Sequence, residues 1–135
     1  MATSEPETQT PEVAASRGAD DLPPSFRRFP DALRLLMRKR NLSYRQMAYK
    51  THLSAGYLNH LTKGTRPVPA DNVVRIIATA LRVGPEHFIE YRLRQVLEVI
   101  EGSSALVDAL YGILLLRVPV SDEMRAVLER QIAAG

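Results

Sequence analysis

From Pro30 to Ile132 the apolar residues recur at spacings of three and four, and no stretch alternates with the period of two that a half-buried strand requires. The periodic run is also cut into short pieces. Ser43, Ser54 and Ser121 stand where they can cap helix starts, and Gly64 and Gly102 stand where they can stop helices. Pro67, Pro69, Pro85 and Pro119 interrupt what lies between. A chain with this pattern buries its apolar stripes by packing helix on helix, so the expected fold class is all-α.

Seven helices are predicted. Leu33, Leu36 and Met37 mark the first, which should end near Asn41, and Met47 and Ala48 are the buried side of a second from Tyr44 to about Lys50. The third follows Ser54 and turns Tyr57, Leu58 and Leu61 inward until Gly64. Asp71 starts a fourth through Val73, Val74, Ile77, Ala80 and Leu81. Pro85 suits the first turn of a long fifth helix, 85–101, with Glu86 favourable to its dipole and Phe88, Ile89, Leu93, Val96, Leu97 and Ile100 as its stripe. Ser103 or Ser104 opens a sixth, 104–116, with Leu106, Leu110, Ile113, Leu114 and Leu116, and Ser121 caps a last one, 122–133, with Met124, Val127, Leu128 and Ile132.

Charge is distributed unevenly along this frame. Residues 1–24 hold five acids and one arginine with only Val13 and Leu22 as sizeable apolar residues, the composition of a disordered acidic tail. Residues 25–82 hold twelve Lys and Arg against Asp31 and Asp71, whereas residues 83–135 hold five bases and eight acids. All the excess positive charge therefore lies in one block, whose field attracts a polyanion. Arg38, Lys39 and Arg40 within it end the first helix, where the dipole alone favours cations.

Several function classes fall away. There is no cysteine, which excludes disulfides and thiolate metal sites. The longest apolar run, Gly112 to Leu116, is far too short to cross a bilayer, and the N-terminus lacks the basic start and apolar stretch of a secretory signal. The expectation is a soluble cytoplasmic protein, associated with the nucleoid and not with a membrane. His52, His60 and His87 are scattered, with no HExxH pattern and no carboxylate at ligand spacing, and no glycine-rich phosphate loop follows a strand. Neither catalysis, nor a metal, nor a cofactor is expected.

A short helix, a three-residue turn and a second short helix make the layout of a helix-turn-helix. Ala48 must be small because the next helix crosses it, Leu53 plugs the turn, and Leu58 and Leu61 pin the third helix to the core. Ala55, Gly56, Asn59 and His60 then have to point outward. The stretch "LSYRQMAYKTHLSAGYLNHLTKGTRPVPADNVVRIIATALRVGPEHF" resembles the helix-turn-helix domain of the phage lambda-type repressors, the Xre family, in its apolar spacing, glycine stop, proline break and close. The likeness covers about residues 30–90. It implies a five-helix lambda-repressor-like domain, taken as 25–90, that binds double-stranded DNA.

The resemblance also implies roles. Ser54 to Lys63 becomes a recognition helix in the major groove, with Ala55, Gly56, Asn59 and His60 facing the bases. Phosphate contacts fall to Ser43, Tyr44 and Ser54 at helix starts, and to Lys63, Thr65 and Arg66 after the third helix. Asn59 suits adenine and His60 suits guanine or phosphate, while Ala55 can meet a thymine methyl and Gly56 allows close backbone approach. Three departures stand out. Tyr44 occupies a slot where the family often has Gln, His52 sits where a turn glycine with positive φ is usual, and Ala55-Gly56 replaces longer polar readers. Tyr57 is expected to be a half-buried packing residue.

Residues 91–135 lie beyond that likeness and are apolar along one side of each helix. They are expected to form a C-terminal helical dimerisation element, through Leu93, Val96, Leu97, Ile100, Leu110, Ile113, Leu114, Val127 and Leu128, since a symmetric pair reads two half-sites. The predicted function is a sequence-specific transcriptional regulator, a repressor-like homodimer on an operator. Two other readings stay open: a protein-interaction adaptor or antitoxin-type module on the same fold, and a ligand-responsive repressor. The identity of any small-molecule or protein effector is unknown.

Overall fold

The computed structural model describes residues 22–134, and every α-helical element of the expected series is present among them. They are α1 (Phe29–Arg40), α2 (Tyr44–Thr51), α3 (Ala55–Lys63), α4 (Asp71–Ala80), α5 (Ile89–Glu101), α6 (Ser104–Leu114) and α7 (Asp122–Ala134), with a short 3-10 turn at Pro85–His87. No strand occurs among the described residues. The chain divides into two compact units, one ending at Arg92 and one starting at Leu93.

In the first unit each helix begins and ends for a local reason. Ser43 Oγ accepts the Gln46 N–H while Gln46 Oε1 accepts the Ser43 N–H, a reciprocal cap that starts α2. Ser54 Oγ accepts the Tyr57 N–H at 3.0 Å and starts α3. Asn41, His52 and Gly64 end α1, α2 and α3 in the left-handed conformation, at φ 58°, 62° and 75°. His52 thus does fill the turn slot that asks for positive φ, which an asparagine or histidine tolerates better than a branched residue. At Gly64 a Cβ would also approach Pro30 Cγ at 3.6 Å.

α1 starts differently. Its flanking Arg28 provides no side-chain cap, and the Phe29 N–H donates instead to Glu90 Oε2 at 2.9 Å, from 61 residues away. Phe29 and Phe88 pack with ring centroids 4.8 Å apart at the centre of a core that includes Leu33, Leu36, Met47, Leu58, Leu61, Val74, Ile77 and Leu81. α3 is pinned by Leu58 and Leu61, both essentially without exposure.

Two expectations change here. The long helix 85–101 is two elements, because Phe88 is extended (φ −90°, ψ 130°) between the 3-10 turn and α5. That bend turns the Phe88 ring into the core against Phe29, and burial of the ring outweighs one more helical turn. The acidic-tail expectation lies outside the described residues up to position 21, but Leu22 packs against the core, partly buried. The segment after it is strapped down: Ser25 N–H donates to the His87 carbonyl at 2.9 Å, and the Arg92 guanidinium donates to the carbonyls of Ser25, Glu86 and His87.

The second unit is built otherwise. Its only buried large side chain among the described residues is Leu106, joined by Ala109 and Gly112 on the same side of α6. A Cβ on Gly112 would stand 3.2 Å from Met124 Cε of α7, so α6 and α7 meet where the side chain is missing. α5 and α7 contain no buried residue.

Candidate nucleic-acid interface

With Leu58 and Leu61 turned inward, the opposite side of α3 carries Ala55, Gly56 and His60 exposed and Asn59 half-buried. Tyr57 is half-buried, packed against the core as expected. These four outward positions are consecutive along one face, as helical spacing requires. No acid lies within α3, and the positive charge of Lys63 and Arg66 follows directly, both exposed. Around Gly56 the chain leaves open space: an added Cβ would meet nothing within 4 Å. No contact inside the protein therefore demands glycine there.

Ser43 and Ser54 are exposed at the starts of α2 and α3. Each hydroxyl oxygen accepts a backbone N–H, and each retains its proton to donate outward. Both stand at positive helix ends, which suit an anion.

Tyr44 and Thr65 have partners within the fold. Thr62 gives its hydroxyl proton to the Asn59 carbonyl at 2.9 Å, so the 2.7 Å contact between Tyr44 and Thr62 is made with the Tyr44 proton. In this arrangement the Tyr44 hydroxyl is engaged inside the fold, while its backbone N–H stands in the first turn of α2. Thr65 is spent in the same way: its N–H donates to the His60 carbonyl at 3.1 Å, and its hydroxyl lies against the His60 ring at 2.6 Å.

The fold adds one cation that spacing did not single out, Arg28. A concavity of about 460 Å³ beside the end of α3 is lined by Arg28, Pro30, Arg34, Tyr44, Thr62 and Lys63 among others. Arg28 and Lys63 bring exposed charge to it, while Arg34 is held by Asp31 and by the Thr62 carbonyl at 3.2 Å. Only the folding of α1 against α3 joins residues 28 and 63, so no local motif announces Arg28 beside Lys63. Arg40 belongs to structure, as its helix-end position implied: its Nε donates to the Leu81 carbonyl at 2.9 Å.

The positions expected to pair two copies are in the second unit. Leu93, Val96, Leu97 and Leu114 are exposed, and Ile100, Leu110, Ile113, Val127 and Leu128 are half-buried. Val96, Ile100, Leu110 and Leu128, with Leu106 and Ile132, line an apolar groove of about 420 Å³. Val107, Tyr111, Leu115, Leu116, Val118 and Val120, which the stripe counting passed over, are exposed as well. Among the described residues no group of three His, Asp or Glu stands close enough to hold a metal ion, and no helix is long and apolar enough to cross a membrane.

This arrangement is an all-α fold with a helix-turn-helix domain. Residues 29–88 match a family model described as a helix-turn-helix domain, the same span that carries the first four helices and the 3-10 turn. No curated protein and no solved structure matches the chain.

Proposed function

We propose that this chain is a sequence-specific transcription regulator of the Xre type, a repressor-like homodimer that binds an operator with α3 in the major groove. The observation that carries the reading is the two-sided α3. Leu58 and Leu61 hold it rigidly to the core, and its exposed side offers Ala55, Gly56, Asn59 and His60 flanked by the cations Lys63 and Arg66. Base contact falls to the four outward positions. Phosphate contact falls to Ser43, Ser54, Lys63 and Arg66, with Arg28 added.

Pairing is supported by the apolar surface of the second unit. Among the described residues, twelve of the fifteen large exposed apolar side chains lie between Leu93 and Ile132. Together they suffice to line an interface of roughly 800 Å² per partner, the size of a stable complex. The same surface also fits a protein-interaction adaptor, and salt separates the two: operator binding loses affinity steeply as salt rises, while an adaptor shows little salt-dependent DNA binding.

The division of labour is tested by two substitutions titrated on a selected duplex and on random DNA. Asn59→Ala costs about 1–3 kcal/mol on the selected duplex and relaxes one base position. Arg66→Ala weakens both duplexes alike and flattens the salt slope by about one. Equal losses on both duplexes for both variants would refute the assignment.

A further inference from the structure

Two kinds of contact hold α3. Leu58 and Leu61 pin it through apolar packing, which is non-directional and leaves a nine-residue helix able to roll or tilt by several degrees. Thr62 adds directional contacts at the end opposite the Ser54 cap. It is 3% exposed, and its hydroxyl donates to the Asn59 carbonyl at 2.9 Å, which fixes the side chain against its own helix. The same oxygen stands 2.7 Å from the hydroxyl of Tyr44, in the first turn of α2, and the link holds whichever hydroxyl donates. The Thr62 carbonyl accepts Arg34 Nη1 of α1 at 3.2 Å, and Arg34 is itself paired with Asp31. One buried residue thus ties α3 to both α1 and α2.

We infer that the Tyr44–Thr62 latch sets the posture of α3, so that both residues govern sequence specificity without touching a base. This rests on the proposed placement of α3 in the major groove. Lever length gives the magnitude. Outward side chains reach about 5–6 Å from a helix axis, so a roll of about 10° moves their ends by roughly 1 Å. Precise recognition tolerates about 0.5 Å. Lys63 and Arg66 instead carry long side chains that can follow a phosphate through such a shift, and phosphate contacts hold no sequence information. Tyr44 and Thr62 are therefore positioning residues for the base-reading part of binding alone.

Tyr44→Phe keeps the ring, half-buried against the core, and removes only the hydroxyl; Thr62→Val keeps the shape and removes the other. Each should weaken binding to a selected duplex by about fivefold to tenfold, the net worth of one hydrogen bond. Affinity for random DNA and its salt slope should stay as in the wild type. The double variant should lose no more than either single one, because both remove the same link. Thr62→Ser should bind as the wild type does. Equal losses on both duplexes, the mark of a direct phosphate contact or of a merely less stable domain, overturn the inference. So do unchanged affinity for the selected duplex, losses that multiply in the double variant, and a Thr62→Ser variant as weak as Thr62→Val.

The posture itself is measurable without DNA. Residual dipolar couplings of the full chain report how α3 is oriented, and how freely it moves, relative to α1 and α4. In the wild type one alignment should fit all three helices. In Tyr44→Phe and Thr62→Val the α3 couplings should shrink or depart from the fit to α1 and α4, while Thr62→Ser keeps them. Couplings of α3 that misfit already in the wild type, or that fit equally well in every variant, overturn the inference. If no duplex is bound at all, the specificity role falls with the DNA reading, and the couplings still decide whether the latch holds α3.

Discussion

On the proposed placement of α3 in the groove, Gly56 is the residue where stability and recognition are set against each other. It lies in the first turn of α3 with open space around it, so glycine costs helix stability and repays nothing inside the fold. Gly56→Ala should raise the stability of the free protein by about 0.5–1 kcal/mol, read by chemical denaturation, and should weaken operator binding because the new methyl occupies the space where the backbone approaches the groove. Greater stability with unchanged affinity would make Gly56 a tolerated surface residue. Other single residues differ in how legible they were. Ser43, Ser54, Gly64 and the positive φ of His52 follow from short-range chemistry, and the structure has each as expected. The partners of Tyr44 and Thr65 do not follow, because a hydroxyl gives its one proton to whichever acceptor folding brings nearest. For Tyr44 that acceptor is 18 residues away.

Elements show the same limit on a larger length. The boundaries of α2 and α3 were legible because caps and stops lie within four residues of the turns they control. The fifth helix was misread because Pro85 and Glu86 are good local starts, while Phe88 answers to Phe29 on a distant part of the chain. Glu90 shows how much such distant pairing matters to α1. Its carboxylate performs the capping that Arg28 cannot, and the positive end of the α1 dipole favours the charge. Glu90→Ala should destabilise the domain by about 1–2 kcal/mol, the usual worth of a lost cap. Denaturant unfolding measures the loss, and hydrogen exchange at the Phe29 amide locates it. Unfolding midpoints equal to the wild type would mean that water replaces the carboxylate at no cost.

At the scale of the whole molecule, the two units distribute apolar surface in opposite ways. Among its described residues the first unit keeps most large apolar side chains buried or half-buried, with Phe26, Tyr49 and Ile76 exposed, and its residues 25–82 carry the cationic excess. The second exposes apolar side chains along all three of its helices, more than a solitary unit of this length gains by keeping in water. The proposed operator binding would profit from pairing, since one α3 spans too few base pairs for high specificity and a symmetric pair would read two half-sites. Leu97 tests the link directly because it is 42% exposed on α5 and its replacement does not disturb a buried core. Leu97→Glu should turn a dimer into a monomer in sedimentation velocity at micromolar concentration, with the helical content unchanged. Its affinity for a two-half-site duplex should fall at least tenfold, while binding to a single half-site stays as it was, since only the second, tethered contact is lost. A variant that still sediments as a dimer would put the pairing surface elsewhere, and an equal loss on single half-sites would mean that the substitution damages α3 itself.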